Sequence, residues 1–137
     1  MAGNNQKPVL GILLGDATGI GPELVAKLAA SDFYADYCRP IIIGDARIFQ
    51  AGLDTFGGKA KYYTIESPEQ ADWNRGYPVL DMKNQDPEKV TMGKASAYCG
   101  AACVEMIRLA CRLCKEGKID GFAFAPFNKA ALKEGGC

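Results

Sequence analysis

Apolar residues in this chain come in short runs separated by polar, glycine-punctuated stretches, and the runs predict the elements. Val9–Leu14 is unbroken apolar, the pattern of a strand covered on both faces. Gly15, Gly19 and Gly21 mark a loop, and Pro22 suits a first helical turn because its missing N–H costs nothing there. Glu23 sets a carboxylate near the positive helix end, and Leu24, Val25, Leu28 and Ala29 give that helix an apolar face. Ser31–Pro40 reads as a connection. Ile41–Ile43 reads as a second buried strand running into Gly44, with Asp45 capping a helix from Ala46 to Gly52. Lys61–Ile65 is a third strand. Tyr77–Asp81 is a fourth, in which Pro78 marks either a sheet edge or the strand's beginning. Ser67–Gly76 and Lys83–Gly93 read as polar loops. The longest helix is predicted from Lys94 or Ala95 to Glu116, with Glu105, Arg108, Arg112 and Lys115 as its polar stripe. Ala97, Ala101, Val104, Ile107, Ala110, Cys111 and Cys114 are assigned to its apolar side. Gly117 stops it. Gly121–Ala125 is a fifth strand, and Lys129–Glu134 begins another helix.

Strand and helix alternate, which predicts a three-layer α/β arrangement with a mostly parallel sheet. The Gly15–Gly21 loop and the Asn128–Lys129 segment both come after strand C-termini, the edge at which open α/β sheets bind ligands. We therefore expect the two to meet on one rim and form half of a ligand cleft. The glycine steps, four from Gly15 to Gly19 and two from Gly19 to Gly21, match neither a dinucleotide fingerprint nor a phosphate loop ending in Gly-Lys-Ser/Thr.

Composition narrows the function classes. A length of 137 residues permits one ordinary domain, and 16 basic residues balance 16 acidic ones, so no basic field is present to hold nucleic acid. No stretch is long enough to span a bilayer, and the N-terminal residues lack the apolar segment of a signal peptide, so a cytoplasmic protein is expected. Residues 1–7 read as a loose tail. The chain has no histidine. Cys99, Cys103, Cys111 and Cys114 sit on one predicted helix, too one-directional for a tetrahedral metal site, and read as small packing residues.

The candidate site residues each carry two readings. Gly15, Gly19 and Gly21 allow close approach of a ligand or serve the turn. Asp16 orients the glycine loop or touches a ligand hydroxyl, against an Asx-type turn; Thr18 donates to a ligand or satisfies loop backbone. Asn128 contacts substrate or caps a helix, and Lys129 holds a phosphate or carboxylate as a point charge or is simply solvated. Lys94, after Gly93, is a ligand cation or a solvated first-turn residue, and Trp73 has no assigned role.

Gly15-Asp-Ala-Thr-Gly-Ile-Gly-Pro-Glu23 resembles the N-terminal signature of the 4-hydroxythreonine-4-phosphate dehydrogenase family, usually Gly-Asp-Pro-Ala-Gly-Ile-Gly-Pro-Glu. A shorter form marks the isocitrate and isopropylmalate dehydrogenases. Ala125-Pro-Phe-Asn-Lys-Ala-Ala-Leu-Lys-Glu-Gly-Gly136 is similar to the family's Ala-Pro-Ile-Asn-Lys segment and its subsequent Ala-Gly. Ala17, Thr18 and Phe127 depart from the usual pattern. The resemblance implies the isocitrate/isopropylmalate dehydrogenase-like fold and a homodimeric, two-domain enzyme that oxidises a secondary alcohol with NAD or NADP. It implies a divalent metal (zinc, magnesium or cobalt) held by histidines beyond this chain. Implied substrates are 4-phosphohydroxy-L-threonine or a related phosphorylated hydroxy acid such as threonate or erythronate phosphate, with decarboxylation of the product. A carboxylated cyclohexadiene diol is the alternative. On this reading residues 1–137 are the N-terminal part of such an enzyme, inactive alone, with a truncated binding or interaction remnant as the other possibility.

Overall fold

A computed structural model describes residues 7–136. The expected tail at residues 1–6 and Cys137 lie outside the described residues. Lys7 does not belong to a loose tail: its Nζ donates to the Ala35 carbonyl at 2.6 Å, and its own carbonyl accepts from Arg39 Nε at 2.9 Å.

Five strands form one parallel sheet: β1 (Val9–Leu13), β2 (Arg39–Gly44), β3 (Tyr62–Ile65), β4 (Tyr77–Asp81) and β5 (Gly121–Phe124), in the order β3-β4-β2-β1-β5. Four helices connect or extend them: α1 (Gly21–Ala30), α2 (Ala46–Thr55), α3 (Ala97–Lys115) and α4 (Lys129–Glu134). The sheet grows one way from β1 through β2 to β4 and β3, then the chain crosses back over α3 to β5. Right-handed crossovers running in opposite directions put their helices on opposite faces. α1 and α2 accordingly pack together on one face, while α3 lies on the other with α4 against it. This is the expected three-layer α/β architecture.

The apolar runs build the core. Leu13, Leu14 and Ile41–Ile43 are fully buried, as a strand covered on both faces requires, and each contributes about 1.5–3 kcal/mol of burial. Phe49 and Leu53 seal α2 onto the sheet, and Met106, Ala110 and Leu113 seal α3. Asp45 caps α2 through Arg47 N–H as expected, but the helix runs three residues past Gly52.

Two expectations are corrected. β4 is interior, so of the two readings of Pro78 the edge fails and the strand's beginning holds: it stands second in the strand, and its missing N–H has a stand-in. Extending the β2–β4 register by one residue points position 78 at the Pro40 carbonyl, and Trp73 Nε1 donates to that oxygen instead, at 2.7 Å. The second correction concerns α3. Its predicted polar stripe faces outward, but its inward face is Cys99, Cys103, Met106, Ala110 and Leu113, while Ala97 and Cys111 are exposed and Cys114 is half-buried. The inward face lies directly opposite the charges; of the residues assigned to the apolar side, Val104 and Ala110 are buried, while Ala101, Ile107 and Cys114 are only partly so.

Candidate functional site

Parallel β1 and β5 end at the same edge, so the loops leaving them are neighbours. Asp16 N–H donates to the Pro126 carbonyl at 3.1 Å, and Ala125 N–H donates to Leu13 O at 3.2 Å. The glycines permit this approach. At Gly15, with φ of 79°, a Cβ would fall 2.7 Å from Pro126 O; at Gly21 one would fall 2.5 Å from Leu14 O. A side chain at Gly15 would force the two loops apart, and one at Gly21 would collide with the end of the β1 segment at Leu14. Gly15, Asp16, Thr18, Gly19, Gly21, Asn128 and Lys129 thus share one rim.

Within that rim the side chains divide. Asp16 Oδ1 accepts Thr18 N–H at 2.9 Å and the Thr18 hydroxyl at 2.8 Å, both groups being buried. Both side chains are turned inward, so their hydrogen bonds go to shaping the loop. Gly19, Ile20, Asn128 and Lys129 are exposed, and Lys129 has no ion-pair partner among the described residues. Asn128 Oδ1 accepts Ala131 N–H at 3.0 Å and so caps α4, fixing the start of the helix that carries Lys129. Lys94 is exposed and lies before the Ser96 cap of α3 rather than in its first turn.

Three further residues on this edge were not among the site candidates, although Asp45 was expected as a helix cap. Asp45, at the tip of β2, accepts Gln85 N–H at 2.9 Å and a two-pronged contact from Arg47. Burial alone would raise its pKa, but the Arg47 guanidinium and the backbone N–H groups of Gln85 and Arg47 outweigh burial and hold it below the ordinary carboxylate value. Asp81, at the end of β4, accepts Ala46 N–H at 3.0 Å and Lys83 N–H at 3.1 Å. Gln85 is buried with its side-chain Nε2 unpartnered. Gly93 N–H donates to Thr18 O at 2.7 Å, tying the Lys83–Gly93 loop to the glycine loop. The repeated Asp or Asn at a strand tip was the available signal. Each one ends its strand by taking N–H groups that the adjoining turn leaves free.

Among the described residues no cluster of three carboxylate or thiol ligands able to hold a metal exists, and Asp16, Asp45 and Asp81 are each committed to N–H donors. These residues do not fit a resident metal. Nor do the described helices include one long and apolar enough to cross a membrane.

Residues 36–137 match the family model described as pyridoxal phosphate biosynthetic protein PdxA. The chain belongs to the PdxA family. Along 130 residues this PdxA-family chain is 41% identical to a D-threonate 4-phosphate dehydrogenase of Cupriavidus necator, covering 94% of the chain and 39% of that relative. A crystal structure of a 4-hydroxythreonine-4-phosphate dehydrogenase from Burkholderia phymatum superposes with a TM-score of 0.88 at 38% identity, over 96% of this chain and 40% of that one. A terephthalate 1,2-cis-dihydrodiol dehydrogenase from Burkholderia xenovorans superposes with a TM-score of 0.72 at 21% identity, which speaks to the fold alone. The chain thus spans about 40% of the length of the first two of these relatives.

Proposed function

We propose that this chain forms one wall of the substrate cleft of an NAD- or NADP-dependent dehydrogenase acting on the secondary alcohol of a phosphorylated four-carbon hydroxy acid. D-threonate 4-phosphate and 4-hydroxythreonine 4-phosphate are the leading substrates. The observation that carries this reading is the hydrogen-bonded junction of the Gly15–Gly21 and Pro126–Lys129 loops on one rim, in a chain 41% identical to a D-threonate 4-phosphate dehydrogenase. Asp16 and Thr18 hold the glycine loop in shape. Gly19 leaves the rim open. Lys129 offers an unpaired ammonium to a phosphate or carboxylate, and Asn128 fixes its position through the cap. The nicotinamide cofactor supplies the hydride chemistry, and this chain's residues bind and orient the substrate. A divalent cation in this reading takes its ligands from outside the described residues.

The test is a completed enzyme: this chain joined to the remaining length of the Cupriavidus necator relative. It should reduce NAD or NADP with one of the two phosphorylated acids when a divalent cation is supplied. Lys129→Ala should raise KM for that acid about tenfold or more, the worth of a charge-assisted hydrogen bond, with a smaller effect on kcat. A completed chain that reduces neither cofactor would favour the binding remnant instead. Unchanged KM in Lys129→Ala would remove Lys129 from the site.

A further inference from the structure

One groove of the described structure is not on this rim. It lies along the opposite edge of the sheet, where the strands begin, with a volume of about 770 Å³, a size suited to a small-molecule ligand. Lys7, Arg39, Lys59 and Lys61 line it, and none of the four forms an ion pair among the described residues. Only two carboxylates share the lining. Asp32 accepts the Tyr77 hydroxyl at 2.6 Å and Asp72 accepts Asn74 N–H at 3.1 Å, so both have partners other than the cations. Two of the cations stand on a fixed frame. Arg39 Nε donates to Lys7 O, and its guanidinium lies 5.5 Å from the Trp73 ring centroid. Lys61 is fixed through its carbonyl, which accepts Tyr77 N–H at 2.8 Å. Trp73 is itself tied down by its bond to Pro40.

Uncompensated cations along a concave wall concentrate positive potential there, although the whole chain is neutral. We propose that this groove binds a small, multiply charged anion of phosphate or polycarboxylate type, independently of the cleft at the other edge. Arg39 offers its remaining guanidinium donors from a pre-set position, and Lys59 and Lys61 close on the anion as flexible point charges.

The test uses the chain itself, with pyrophosphate and citrate as separate probes. Binding is read by calorimetry and by the emission of Trp73, the chain's one tryptophan. Saturable binding is expected for at least one probe, with loss at about 0.5 M salt because exposed charges are screened. A Lys59→Ala, Lys61→Ala double variant should bind about tenfold more weakly, since two exposed charges leave the anion's surroundings. Lys129→Ala, whose lysine belongs to the other rim, should leave the binding read from Trp73 unchanged. Whichever probe saturates assigns the chemical class. Failure of both to saturate, equal affinity in the double variant, or loss in Lys129→Ala would each overturn the proposal. Lys59 and Lys61 are exposed, and their replacement leaves the core untouched.

Discussion

At the residue scale, the side chains at the strand tips are structural before they are chemical. Asp45 shows this best: a buried carboxylate held by one guanidinium and two backbone N–H groups. Its folded pKa lies below the ordinary value of 3.8, so its contribution is fully present above that pH and is lost as pH falls through the folded value. Asp45→Asn should therefore lower the unfolding free energy near neutral pH by about 1–3 kcal/mol, the cost of a broken buried network. The gap between variant and parent should narrow in urea titrations carried out below pH 4, about where ordinary carboxylates protonate. Trp73→Phe should cost about 1–3 kcal/mol for a different reason, because the Pro40 carbonyl loses the donor that replaces a ladder bond. Thiol reactivity offers a third check. Cys111 is exposed, whereas burial, with Asp16 and Cys99 adding to it, pushes Cys103 up to about 12. A maleimide at pH 7.5 should label Cys111 while leaving Cys103 unreacted until the chain is denatured, a contrast set by thiolate access.

At the element scale, the strands and caps were readable wherever the signal is local. The Val9–Leu14 and Ile41–Ile43 runs, the Asp45 cap and the Gly117 stop each depend on a few adjacent residues, and each is found where expected. Features that depend on partners were not readable. The interior place of β4 rests on an indole five residues away in sequence, and the inward face of α3 depends on where the sheet and α4 meet it. The loops of the candidate site could be brought to one rim from sequence, because parallel strands decide that. The inward turn of Asp16 and Thr18 could not, because it depends on how the loop closes on itself. α3 and α4 cross at Gly100, where any Cβ would overlap the Ala131 carbonyl. Gly100→Ala should push α4 away, at a cost of about 1–3 kcal/mol for overpacking. Amides of Lys129–Glu134 should then exchange faster with deuterium, and a completed enzyme should lose substrate affinity through Lys129 although residue 100 never meets the substrate.

At the scale of the whole molecule, β5 is a sheet edge among the described residues, and Phe124 on it is 61% exposed, with the Phe127 ring 5.1 Å away and tilted to it, and Ile20 and Leu24 also exposed. An unpaired strand edge bearing large apolar side chains invites association. The chain at micromolar concentration should sediment as oligomers or aggregate, and Phe124→Lys should shift it toward monomer; a soluble parent monomer with a cooperative thermal transition would contradict this.

The central place of β1 has a consequence for synthesis. β1 needs β2 on one side and β5 on the other, and the contact that fastens its far side, Val9 N–H to Asp120, spans 111 residues. During synthesis β1 must therefore keep one flank unpaired until nearly all of this stretch has been translated. Non-local pairing of that kind is slow to close. Stalled nascent chains ending before Asp120 should remain protease-sensitive around Val9–Leu13, and those extended far enough for β5 to emerge should become protected there.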